Sequence, residues 1–224
     1  MNLFVSEIPR KGCVSRIIMI AIVDYEMGNL RSVQKGFETV GCHAVVTRDP
    51  AIIDRASHVV LPGVGAFGDC VRNLNRFDLV GPLRQSIAKG KPFLGICLGL
   101  QVLFTESEEF GAHQGLDIFR GKVKRFSFSD HQKKELKIPH MGWNSINVAH
   151  HSPMLDDIAT EAYVYFVHSY YVEPVETKII CTETTYGIPF VSSVAYENVF
   201  ACQFHPEKSQ RIGLQLLRNF GALN

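Results

Sequence analysis

The sequence lacks any block of like charge. Its 23 Lys and Arg against 22 Asp and Glu leave a formal net charge of +1. Nucleic acid as the main partner therefore has no electrostatic footprint to rest on. The one basic cluster, Lys122, Lys124, Arg125, Lys133, Lys134 and Lys137, is interrupted by Asp130 and Glu135. It reads as a solvated surface or as a docking patch. Long apolar runs are also missing. The run near the start, Ile17–Val23, is too short to span a bilayer, and Asp24 closes it without a small-residue cleavage site. A signal peptide is not expected, and the run reads as a buried first strand. No CxxC pair occurs among the six cysteines, at 13, 42, 70, 97, 181 and 202. Their wide spacing fits neither a zinc site nor a disulfide framework, so a reducing cytoplasm and no metal are expected. No cofactor motif is present, and no internal repeat or low-complexity linker divides the chain.

What is present is an alternation of apolar runs and helical stretches. Ile17–Val23, Ala44–Thr47, His58–Leu61 and Pro92–Ile96 read as strands. Leu30, Val33, Phe37 and Val40 share a helical face, with Gly41 as the stop. Leu79–Ala88 is a second helix, ended near Gly90. Continuous apolar strands separated by helices predict an α/β fold, with a mostly parallel central sheet covered on both faces. From about Ile118 the pattern changes to strands with few helices: Ser145–Val148, Tyr163–Val167, Lys178–Thr182, Phe190–Ala195 and Val199–Cys202. These predict an antiparallel extension of the same sheet in the C-terminal half. A last helix, Ser209–Phe220, has Ser209 as N-cap and Gly221 as C-cap. Residues 1–16 carry no periodicity, and Met19 could itself be a start. They read as an N-terminal appendage to a single domain, 17–224.

The sharpest local signal is Gly95-Ile-Cys97-Leu-Gly99, where an apolar strand meets an apolar helix beginning near Leu98. A thiol at such an elbow sits at a strand end and a helix start, where backbone N–H groups favour a thiolate. The competing reading is a buried structural cysteine, the role expected of Cys42, Cys70, Cys181 and Cys202. A nucleophile needs a base. Of nine histidines, His205 follows the strand-like Val199–Phe204, and Glu207 two residues on can orient its ring. Cys97, His205 and Glu207 then make a triad. The glycine-rich Leu61-Pro-Gly63-Val64-Gly65 also ends a strand, and its N–H groups with that of Leu98 suit an oxyanion. An ordinary turn is the alternative there; a phosphate loop lacks its G-K-[ST] ending.

Gly95-Ile-Cys-Leu-Gly-Leu-Gln101 and Gln203-Phe-His-Pro-Glu207, taken together, resemble the class I (triad) glutamine amidotransferases, over the chain from about Ile20 to the last helix. Pro62-Gly-Val-Gly65, Pro139-His-Met-Gly-Trp-Asn144 and Tyr165-Phe-Val-His-Ser-Tyr170 are similar to the branch serving imidazole glycerol phosphate synthase in histidine biosynthesis. The resemblance implies a flavodoxin-like sheet and hydrolysis of L-glutamine, with Cys97 as nucleophile and His205 as base and then acid. It implies that Gln101, Glu109 and the His168-Ser169-Tyr170 segment hold the amino-acid end of the substrate. It implies a (β/α)8-barrel cyclase as heterodimer partner receiving ammonia, with Trp143 and Lys208 facing it. For Trp143 a core position in a strand is an equal alternative. In the first loop, Glu26 of Asp24-Tyr-Glu-Met-Gly-Asn29 replaces a glycine usual in the family. That leaves the loop's geometry open. The other readings are a paralogous glutaminase feeding another synthase, such as a sugar-modifying one, a free-standing cysteine hydrolase, and a binding protein on the same fold.

Overall fold

Strands buried on both faces must carry apolar side chains at nearly every position, and the first half of the chain supplies three such runs and a fourth that begins at an exposed His43. The computed structural model describes residues 18–223; the appendage expected at 1–16 lies outside them. In chain order, β1 (Met19–Val23) leads into α1 (Leu30–Thr39), β2 (His43–Thr47), α2 (Pro50–Arg55) and β3 (His58–Gly63). Then come α3 (Phe67–Arg76), α4 (Val80–Ala88), β4 (Phe93–Cys97) and α5 (Leu98–Gln101). The strands β5 (Phe104–Ser107), β6 (His113–Gln114), β7 (Phe119–Arg125), β8 (His140–Val148), β9 (Ala162–His168) and β10 (Tyr170–Pro174) follow. Next are β11 (Ile180–Tyr186), β12 (Ile188–Tyr196) and β13 (Val199–Cys202), before α6 (Gln210–Ala222) closes the described chain.

The sheet order begins β2-β1-β3-β4-β13, and all four of these pairings are parallel. This is the flavodoxin-like half that the resemblance implies. Alternate residues of each strand feed two cores. Ile20 and Ile22 pack with Val33 and Phe37 of α1 and with Leu216, Leu217 and Phe220 of α6. Ala21 and Val23 pack on the other side with Ile53, Phe67, Leu74 and Leu83 from α2, α3 and α4. Beyond β13 the sheet turns antiparallel through β12, β10 and β7, and β11 carries the β8–β9 hairpin off to one side. The predicted extension is present, with β5 pairing parallel to β7 and the two-residue β6 antiparallel to β5 at its far edge.

The helix after the elbow begins at Leu98 and Ser209 stands at the N-cap of α6, as expected, while Gly221 as the stop of α6 is corrected. The helix after the elbow is a single turn, Leu98–Gln101. Its continuation is pre-empted because the carbonyls of Val102 and Leu103 accept from the N–H groups of Leu116, Ile118 and Phe119. Gly221 does not stop α6, which runs one residue further to a cap at Leu223. A Cβ on Gly221 would collide with Cys42 Sγ, so this glycine serves helix packing. Ser209 stands at the N-cap but makes no side-chain cap bond; its hydroxyl instead accepts from Tyr165 N–H and donates to His205 C=O.

Glu26 resolves the question left by the first loop. It takes φ +66°, the left-handed region a glycine enters freely. Its carboxylate lies 3.2 Å from Arg48 and 3.5 Å from Arg76, and Arg48 also pairs with Asp24 at 2.7 Å. These are exposed pairs and each contributes little. Glu26→Ala and Glu26→Gly both remove the two Glu26 pairs and leave Arg48–Asp24 in place, but only Ala keeps the backbone penalty. Chemical denaturation should therefore find Glu26→Ala less stable than Glu26→Gly by about 1 kcal/mol. Equal stabilities would mean that the loop is not strained at this residue.

Candidate active site

Cys97 ends β4 with φ +55° and ψ −106°, a conformation that L-residues rarely hold. Such strain persists only where surrounding packing over-determines it. Here a Cβ on Gly95 would come within 2.9 Å of Ala201 Cβ, and one on Gly99 would collide with the Leu61 carbonyl. The two glycines let the turn press against β3 and β13 and aim the sulfur along the ends of the strands. Cys97 is 6 % exposed and lines a cavity of about 420 Å³. This volume suits a small ligand. The other described cysteines do not line it. Burial raises them all, Cys70 to about 12 and Cys181 to about 11, as expected of structural thiols.

The base comes from the turn after β13. A short 3-10 turn, Pro206–Lys208, folds Glu207 back beneath the imidazole. His205 Nδ1 donates to Glu207 Oε1 at 2.8 Å, and both side chains are almost fully buried. Nε2 makes no regular hydrogen bond, which leaves it free for the sulfur. Burial alone would lower this histidine. The charge and hydrogen bonding of Cys97, then Glu207, outweigh that and raise it to about 10. An imidazole so placed can serve the thiol as general base.

The remaining predicted residues fall into two groups. Val64, Gly65, Gln101, Glu109, His168, Ser169, Tyr170 and Lys208 line the cavity with Cys97. Gly63 and Leu98 are not among the residues that line it, and each adjoins one that does. Gly63 is paired with Cys97 across β3 and β4, and a Cβ there would come within 2.9 Å of Leu98 Cβ. Leu98 opens α5, so its N–H has no partner within the helix. Gln101 Nε2 donates to Tyr170 C=O at 3.1 Å and to Gln203 Oε1 at 3.0 Å, leaving its own oxygen for the cavity. Glu109 Oε2 accepts from Phe67 N–H, the first of α3, at 2.7 Å. Burial raises its pKa and that bond opposes the rise.

His168 is not directed at a ligand as a charged group. Its Nδ1 donates to Tyr170 C=O at 2.8 Å and its Nε2 accepts from His140 Nδ1 at 3.0 Å. Asn144 Nδ2 then lies 3.4 Å from His140 Nε2. The pair sits among Phe126, Phe166 and Phe190. The resemblance implies a partner-facing role for the whole segment 139–144, but His140 is buried and Pro139 lines the cavity with Val167; no local pattern assigns Val167 or Gln203 a role.

Trp143 is not a core residue. It is 44 % exposed on β8, edge-on to Tyr165 across the β8–β9 pair. Met141 and Tyr163 on the same face are 62 % and 60 % exposed. Lys208 Nζ lies 5.7 Å from the Tyr165 ring centre, so this apolar face runs up to the mouth of the cavity.

A family model for class-I glutamine amidotransferases matches residues 21–222. The chain belongs to this family. It is 54% identical to the imidazole glycerol phosphate synthase subunit HisH of Syntrophotalea carbinolica, over 91% of this chain and 99% of that one. With the HisH subunit of Aquifex aeolicus the identity is 50%, over 89% and 94%. Among solved structures, PurLQS from Thermotoga maritima superposes with a TM-score of 0.71 at 16% identity, over 90% of this chain and 96% of that one. That likeness supports the fold. Among the described residues no helix is long and apolar enough to cross a membrane.

The two buried imidazoles give a pH dependence of known sign. Burial lowers His168 to about 3 and His140 to about 4, whereas the unfolded chain protonates them near 6.5. Their contribution is present above about pH 6.5 and is lost as pH falls through the folded values. Denaturant titrations should show these two groups lowering stability by on the order of 3–4 kcal/mol between neutral pH and about pH 5, where most carboxylates remain ionised. No change over that interval would contradict the neutral, buried pair.

Proposed function

We propose that Cys97, His205 and Glu207 perform the glutamine hydrolysis of this family member, feeding ammonia to a cyclase subunit in histidine biosynthesis. The observation that carries the assignment is the conjunction of a left-handed Cys97 on a cavity wall and a buried His205–Glu207 pair beside it. The Cys97 proton moves to His205 Nε2, and the thiolate attacks the side-chain amide carbon of L-glutamine. The carbonyl electrons shift to oxygen, facing the N–H groups of the Gly63–Gly65 loop and Leu98. As the C–N bond breaks, the imidazolium returns its proton to nitrogen and ammonia leaves a γ-glutamyl thioester. Water then gives its proton to His205, cleaves the C–S bond and releases glutamate. Gln101 Oε1 and Glu109 accept from the substrate's N–H groups, and the backbone of Ser169 and Tyr170 forms the facing wall.

Ammonia freed into water is protonated and diluted, so the cavity must discharge into a docked acceptor. The exposed Met141, Trp143 and Tyr163 face bordering that cavity is the surface proposed for it, with Lys208 at its edge. An aromatic anchor beside a polar rim is the usual composition of such a contact. A (β/α)8-barrel cyclase is the proposed occupant. The identity of about 50% to HisH subunits over nearly their full length favours this acceptor over a paralogous one.

Glutamate release from glutamine, assayed with the cyclase subunit and its ligand present, tests the triad. Cys97→Ala should lose on the order of 10³-fold or more in rate while keeping its melting temperature. Retained activity would remove Cys97 from the chemistry. Trp143→Ala should weaken binding to the cyclase by about tenfold or more in titration calorimetry. Unchanged affinity would move the interface elsewhere.

A further inference from the structure

Gln203 is fully buried, two residues before the base, and touches the nucleophile. Its Nε2 lies 3.5 Å from Cys97 Sγ and its Oε1 accepts from Gln101 at 3.0 Å. The direction of this chain is fixed from one end. Tyr170 C=O can only accept, so the Gln101 atom 3.1 Å from it is the amide nitrogen. That nitrogen has two hydrogens, and the second points to Gln203. The Gln203 atom it meets must then be oxygen, which leaves the Gln203 NH2 group facing the sulfur. Neither amide can flip without opposing two like groups in a buried site.

We propose that Gln203 is a positioning residue, donating to Cys97 Sγ and tying the nucleophile, through Gln101, to the substrate-facing wall at Tyr170. The proposal rests on the reading of Cys97 as nucleophile. A donor at the sulfur stabilises the thiolate relative to the thiol. The opposing acceptor near the sulfur, Val167 C=O at 3.9 Å, is longer and favours the thiol. His205 receives the proton; Gln203 receives none and forms no bond in the reaction. The Tyr170 carbonyl also accepts from His168. A substrate that settles against Ser169 and Tyr170 therefore acts on the amide chain that ends at the sulfur.

The test uses the complex with the cyclase subunit and follows alkylation of Cys97 by iodoacetamide against pH, with Cys97→Ala as the blank. Gln203→Leu and the same-sized Gln203→Glu should both raise the apparent thiol pKa by about one unit or more, the latter further because a carboxylate opposes the thiolate. For Gln203→Leu, kcat at neutral pH should fall about tenfold, with KM changed less than about twofold. The deficit should shrink as pH rises and the thiolate is recovered. Near-UV circular dichroism shows whether each variant keeps the native packing. An unshifted alkylation profile in a folded variant, or a kcat deficit equal at every pH, overturns the proposal. Should Cys97→Ala retain glutaminase activity, the nucleophile assignment fails, while the alkylation profile still reports on the Gln203 contact.

Discussion

Gly99 approaches the Leu61 carbonyl so closely that no side chain fits between them, and Gly95 presses on Ala201 in the same way. This crowding is what the site depends on. With β3 on one side and β13 on the other, the chain leaving β4 has one way to turn, and Cys97 takes the left-handed conformation that the turn demands. The cost is of order 1–3 kcal/mol and is offset by the burial of the elbow's apolar flanks, Leu94, Ile96, Leu98 and Leu100. A sulfur on a relaxed turn would have several positions open to it. On this one it is held where the adjacent parallel strand β13 delivers Gln203 and His205.

Around that fixed point the polar groups are arranged so that each has a defined direction. Glu207 holds one nitrogen of His205 and leaves the other free. The Tyr170 carbonyl gathers donors from Gln101 and His168, and His168 in turn accepts from His140. A backbone carbonyl cannot exchange donor for acceptor, so one such group orients two amides and two imidazoles. The aromatic cluster of Phe126, Phe166 and Phe190 keeps those imidazoles neutral by excluding water. The same hairpin that carries His140 and His168 inward presents Met141, Trp143 and Tyr163 outward, because successive residues of a strand face opposite sides. Substrate wall and docking face are thus two sides of one pair of strands.

Much of this was legible in the chain. Apolar runs at β1 to β4, the helical spacing of Leu30 to Val40 and the elbow motif depend on local chemistry, and each reappears within a residue or two of its expected place. The length of α5 was not legible, since it ends where backbone groups from 116–119 capture its next carbonyls. Gly221 looked like a stop signal because a glycine after a helix usually is one; its true constraint is Cys42, from a segment distant in sequence. Glu26 at φ +66° shows the converse, a residue other than glycine held in the left-handed region, with its carboxylate meeting two arginines.

The sequence by itself determined the α/β class, the elbow and the pairing of a histidine with an acid two residues away, because these follow from periodicity and short-range geometry. Only the tertiary structure decided which glutamine reaches the sulfur, which histidines are neutral and buried, and that Trp143 faces outward. Those outcomes depend on which strands become neighbours. Residues 101, 170 and 203 meet because β10 and β13 both flank β12, a relation that no local pattern contains.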